Sequence, residues 1–168
     1  MFKKVFITLL ALLTLNLTVF ASTPLDRGTT LIVRILSSTN SKSGTTPTAM
    51  VEEDVRNKNG TVVIKKGTLV ELQVNREKAK GCGRPGTLFV NCISTRAVDN
   101  QYIVLNGELK TEGNDKRGLA IGLGVGLGVT FLPFVGFAFL AIKGEQATIQ
   151  PNTLISNVFV MNDYLIEE

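Results

Sequence analysis

Hydrophobic and polar positions alternate along most of this chain. Over 30–37, Leu31, Val33 and Ile35 fall on one side and Thr30, Ile32, Arg34 and Leu36 on the other, which predicts a strand. Over 68–75, Leu69, Glu71 and Gln73 alternate with Val70, Leu72 and Val74 in the same way. Further strands are predicted over 48–55, 61–64, 86–95, 101–105, 145–149 and 153–161. Turn chemistry separates them: Asn59-Gly60, Lys65-Lys66-Gly67, Asp99-Asn100, Asn106-Gly107 and Pro151-Asn152. Residues 37–47 form a loop rich in Ser, Thr and Gly, and 76–85 a basic, Gly-rich one. Residues 22–27 read as a short polar lead, 111–117 as a polar, mobile connection and 163–168 as an acidic end. Strands at this spacing give a mainly β domain, a small barrel or sandwich of about seven to eight strands.

One stretch breaks the pattern. Residues 118–142 read GLAIGLGVGLGVTFLPFVGFAFLAI and carry no charge, with Lys116 and Arg117 before them and Lys143 after. As a helix they would extend about 37 Å, against a bilayer hydrocarbon core of about 30 Å. Gly122, Gly124, Gly126 and Gly128 recur every second residue, with Leu123, Val125 and Leu127 between them. Gly118, Gly122 and Gly126 are also four apart, the small-residue spacing that lets helices approach closely in lipid. Pro133 divides the stretch and disfavours helix at Leu132.

Three arrangements are open: a hairpin of two short helices turning near Pro133, one kinked span, or a Gly-rich segment of the core. Basic flanks at both ends fit the hairpin best, so the expected insert is an apolar, Gly-rich helical hairpin. Its candidate membrane or oligomer contacts are Gly118, Gly122, Gly124, Gly126, Gly128, Leu123, Leu127, Phe131, Pro133, Phe134, Phe137 and Phe139.

Residues 1–21 read as a secretory signal, with Lys3 and Lys4 before an apolar run and Val19-Phe20-Ala21 at the cleavage site. One domain, 22–168, follows, expected in the periplasm or outer membrane. Removing 1–21 takes away two lysines and no acid, so the formal net charge falls from +4 to +2. The basic clusters Lys65-Lys66 and Arg76/Lys78/Lys80/Arg84 lack interleaved aromatics. They read as solvated turns or as residues facing phospholipid head groups, not as a nucleic-acid surface.

Export would take Cys82 and Cys92 to an oxidising compartment, where they are a candidate disulfide closing a loop of about ten residues. The acids Glu52, Glu53 and Asp54 are consecutive, so in a strand they point to opposite faces and cannot converge on a metal. The chain has no His, and no Cys, Ser, Asp or Lys constellation has catalytic spacing. No enzyme, cofactor, metal or small-molecule substrate is expected.

The order of short motifs is Gly28-Thr29, Ser37-Ser38 with Gly44, Val51 with Asp54-Val55, Ile64 through Lys66-Gly67-Thr68, Gly86, Asp99-Asn100 with Leu105, then the apolar insert and Pro151-Asn152-Thr153. In that order the chain resembles the C-terminal barrel domain of the TrbI-type conjugation (type IV secretion) channel proteins, over nearly all of 22–168. Lys65 stands where that family has proline, and Asn100 and Asn152 where it has glycine. The resemblance implies a barrel carrying a membrane-directed apolar antenna.

The function expected is therefore that of a non-enzymatic bacterial cell-envelope protein. A periplasmic β domain would meet membrane lipid through 118–142, as a homo-oligomer or with an envelope partner, in a structural, anchoring or pore-forming role. The alternative is a soluble periplasmic or secreted binding module whose apolar stretch is core or a docking surface.

Overall fold

A computed structural model describes residues 22–121 and 141–167. The expected signal and most of the apolar insert lie outside the described residues. The strands are β1 (Ser22–Leu25), β2 (Thr30–Ile35), β3 (Thr39–Asn40), β4 (Ala49–Val51), β5 (Val55–Arg56), β6 (Val62–Ile64), β7 (Leu69–Glu77), β8 (Thr87–Arg96), β9 (Tyr102–Asn106), β10 (Glu108–Glu112), β11 (Thr148–Ile149), β12 (Leu154–Val160) and β13 (Tyr164–Glu167). Six of them close a barrel in the order β8-β7-β4-β2-β12-β9, with β9 pairing back onto β8. The seventh strand of that sheet, β10, continues along the edge of β8 that β9 occupies. Barrel closure satisfies edges that an open sheet would expose.

The alternation predicts which side faces inward. Leu31, Val33 and Ile35 are buried, as are Leu88, Val90 and Cys92 of β8 and Ile103 and Leu105 of β9. Each buried aliphatic side chain contributes roughly 1.5–3 kcal/mol of transfer free energy, so the alternating faces alone fix which side of each strand points in. Between β7 and β8 the register shifts at Glu71/Leu72, and Ile93 is exposed there while Ser94 and Thr95 are both buried.

The two ends of the barrel are built differently. At one end, β8 finishes at Arg96 and β9 starts at Tyr102. The β5–β6 ribbon is tied there by the Val98 amide donating to the Val63 carbonyl (3.1 Å). The β1–β13 ribbon is tied there by the Glu167 amide donating to Asp99 Oδ2 (3.2 Å). At the opposite end β7 leaves at Glu77, β8 begins at Thr87 and β10 ends at Glu112, beside the short β3–β11 ribbon.

Several expectations need correction. Residues 48–55 are not one strand. Glu52 turns to Arg34, with Nε–Oε2 and Nη2–Oε1 both 2.6 Å, and Asp54 accepts from the Lys66 amide (2.9 Å). The chain is thereby redirected into β5. Asn106-Gly107 is no turn: β9 runs into β10, and the Gly107 carbonyl accepts the Cys92 amide (2.9 Å). Glycine is needed because a Cβ there would lie 2.7 Å from Val158 Cγ2. The polar lead and the acidic end are strands β1 and β13, paired Ser22↔Glu167 to Leu25↔Tyr164, with Leu25 and Ile166 fully buried. Of 145–149, only Thr148–Ile149 is strand.

Asn100 and Asn152 lie at φ 67° and 66°. Asparagine tolerates the left-handed region, so it does there what glycine would.

Candidate functional site

The candidate site is the stem from which the apolar stretch leaves the barrel and to which it returns. Chain from three distant parts of the sequence meets there: 79–86, 113–117 and 142–147. Gly83 joins both legs. Its carbonyl accepts the Lys116 amide (2.9 Å) and its amide donates to the Ile142 carbonyl (2.8 Å). A side chain is impossible at that point, since a Cβ on Gly83 would lie 2.2 Å from the Lys116 carbonyl carbon, and φ is +69°. Close approach recurs at Gly113 and Gly144, where a Cβ would lie 2.1 Å from the Glu145 oxygen and 2.4 Å from the Arg84 oxygen.

The stem is cross-tied further out. The Gly86 amide donates to the Glu145 carbonyl and the Gly113 amide to the Gly86 carbonyl, both 2.9 Å. Below them Ser41, fully buried, donates from Oγ to Gln146 Oε1 (2.8 Å) and accepts the Ala147 amide (3.0 Å). Gln146 Oε1 also accepts the Ala79 amide (3.2 Å). Lys116 Nζ meets Glu145 Oε1 at 2.8 Å, and Asn114 donates to Glu145 Oε2 at 2.9 Å. The Lys116 contact, first as a hydrogen bond and then as a charge, holds the Glu145 carboxyl below its usual range, with the Asn114 bond adding to it against a small opposing effect of burial. The connection over 111–117, expected to be mobile, is thus a tied leg of the stem.

Of the expected insert contacts, Gly118 is described, exposed, within the helical residues 117–121. Ala120 beside it is fully buried, while Leu119 and Ile121 are exposed. Gly122, Leu123, Gly124, Gly126, Leu127, Gly128, Phe131, Pro133, Phe134, Phe137 and Phe139 lie outside the described residues, and so does the expected helical hairpin. Among the described residues no helix is long and apolar enough to cross a membrane.

The expected disulfide is absent: Cys82 and Cys92 are both free thiols. Cys92 points into the barrel from the middle of β8, and burial pushes its thiol up to about 11. Cys82 stands in the stem at φ 57°, one residue before Gly83.

Sequence reasoning missed the stem itself. Gly113 and Gly144 flank the apolar stretch, but nothing in the sequence links them to Gly83 and Gly86, which lie before β8. The acids Glu52 and Asp54 are structural partners of Arg34 and Arg56.

No family model matches the chain, and no curated protein matches it in sequence. Its fold is similar to the structure of ComB10 of the Com type IV secretion system of Helicobacter pylori. The identity is 13%, the TM-score 0.44, and the match covers 84% of this chain and 90% of that one.

Proposed function

We propose that this is a non-enzymatic cell-envelope protein whose β-barrel holds residues 118–142 against or within a membrane, in an oligomer with a structural, anchoring or pore-forming role. The observation that carries this reading is the stem. Gly83 bonds Lys116, two residues before the stretch begins, and Ile142, its last residue, and residues 118–142 contain no charged residue. Departure and return at one point favour a re-entrant path over a single crossing. An uncharged apolar run of this length is rarely left in water, and its small residues suit association between copies.

The test replaces 118–141 by a short Gly-Ser link between Arg117 and Ile142, whose positions at Gly83 allow it. The full chain is expected to resist alkaline carbonate extraction from membranes and to run as an oligomer in detergent. The shortened chain is expected to be soluble with its strand signal intact by circular dichroism. A soluble full chain, or a shortened chain that unfolds, would make the stretch part of the core and sink the proposal.

A further inference from the structure

We propose that Lys78, Lys80, Arg84 and Lys143 form a cationic collar at the stem that binds the phosphate head groups of an anionic lipid surface. This rests on the reading that 118–142 meets a membrane, and adds which lipid the barrel selects.

Backbone contacts place the four residues together although they come from two parts of the chain. The Lys80 amide donates to the Arg84 carbonyl (3.1 Å), and the Gly144 amide next to Lys143 donates to the Lys80 carbonyl (3.4 Å). Arg84 packs its backbone on Gly144. Ala79, between Lys78 and Lys80, is buried and tied to Gln146. All four cationic side chains are exposed.

None of the four is neutralised by an acid among the described residues, which is also true of Arg27, Lys42, Lys65, Lys66, Arg76 and Arg96; what sets the four apart is that they cluster where the apolar stretch leaves the barrel. Among the described residues Arg34, Arg56, Lys58, Lys110, Lys116 and Arg117 each hold a carboxylate within 4 Å, whereas none of the four collar residues does. Two acids of the stem are already engaged, Glu145 by Lys116 and Asp115 by Arg117. Four unneutralised cations therefore border the point where an uncharged apolar sequence leaves the barrel, which is the charge arrangement of a juxtamembrane anchor. The four carry no aromatic between them on which bases could stack, which disfavours a single-stranded nucleic acid.

Lys65 and Lys66 supply the internal control. They are exposed and hold no acid, but they lie in the turn before β7, at the barrel end where β8 finishes. A site predicts that collar charges matter and these do not, while a simple net-charge effect predicts that both matter equally.

The experiment is flotation of the full chain with vesicles of phosphatidylcholine alone, or of phosphatidylcholine mixed with phosphatidylglycerol. Each collar cation is expected to strengthen binding to the anionic vesicles about fivefold. The variant K78Q/K80Q/R84Q/K143Q should lose the preference almost entirely, and K65Q/K66Q should keep it. Circular dichroism checks that both variants are folded, and single substitutions, K80Q and K143Q, give the same test in smaller steps.

Retention of the preference in the fourfold variant overturns the collar, as does an equal loss per charge in K65Q/K66Q. Inhibition by inorganic phosphate at the lipid-phosphate concentration would assign the site to a free anion and overturn its assignment to lipid. Displacement from vesicles by a single-stranded oligonucleotide would overturn it in favour of nucleic acid. Equal binding to both kinds of vesicle removes the collar and leaves the membrane reading standing, whereas binding to neither removes that reading as well.

Discussion

The two ends of the barrel solve the same problem of terminating a closed sheet by opposite means. The end beside Arg96 is finished by ribbons: β5 and β6 are near neighbours in sequence, and β1 and β13 are the two ends of the described chain. Its turns carry their own instructions, such as Asn100 at φ 67° and Gly60 at φ 86°. The stem has a local turn too, with Cys82 at φ 57° and Gly83 at φ 69°, but that turn does not itself bring the legs together. The stem is held by hydrogen bonds between 79–86, 113–117 and 142–147, and these form only once the barrel has brought the segments together. The ribbon end combines one short-range pair, β5 with β6, and one long-range pair, β1 with β13, whereas the stem joins three distant segments.

The sharpest contrast should come from the two thiols. Cys92 sits in the barrel wall with its thiol near 11, so at pH 8 only about one molecule in a thousand carries its thiolate. Cys82 is half-exposed at the stem. Timed alkylation followed by mass spectrometry should label Cys82 first and Cys92 only with global unfolding. Comparable rates would mean that the barrel opens far more readily than its packing implies.

Stability should separate two glycines next. At the ribbon end Gly28 has φ +82° and open space around it, so Gly28→Ala should cost about 1–2 kcal/mol, the left-handed penalty alone. Gly83→Ala adds a clash at 2.2 Å with backbone that cannot move aside, and should cost about 3 kcal/mol or more. Urea unfolding compares them. Equal losses would mean that the stem contributes little to the folded state.

Acid should loosen the stem before the ribbon end. The folded Glu145 carboxyl is held below its ordinary value of 4.5, mainly by Lys116. Its contribution is therefore complete above 4.5 and is lost as the pH falls through the lower folded value. Amide exchange at Gly83 and Gly86 should rise in that window relative to an amide of the β1–β13 ribbon, and Glu145→Gln should abolish the difference.

The smallest effect belongs to the exposed Lys58–Asp26 pair, 2.8 Å apart. Asp26→Asn is expected to leave stability nearly unchanged, as measured by thermal unfolding. A larger loss would show that the ribbon end is not governed by backbone pairing alone.

Legibility in the sequence follows the same contrast. The strands around Val33, Val74 and Val90 could be read because burial on one face imposes a period of two on adjacent residues. Pro151-Asn152 was readable as a turn for a local reason too. Asn106-Gly107 misled because a glycine required by Val158, a residue far along the chain, looks identical to one required by a hairpin. β1 and β13 escaped notice because each is four residues long and becomes a strand only by meeting the other. The stem was invisible for that reason in its strongest form. Nothing near Gly83 in sequence announces Lys116 or Ile142, and the basic residues around it gain meaning only when Lys143 joins them. The disulfide expectation failed because one cysteine is in the barrel interior and the other in the stem, a separation that sequence spacing does not record.

The double bond at Gly83 has a consequence for how this protein can vary. Since the legs at Lys116 and Ile142 meet on one residue, the chain between them is a closed loop grafted onto a finished body. Its two ends are fixed at Gly83 whatever the length between them. The strand pairings of the barrel take no part in that length. Insertions and deletions inside the loop therefore leave the barrel's register untouched, and one scaffold can carry extensions of different reach.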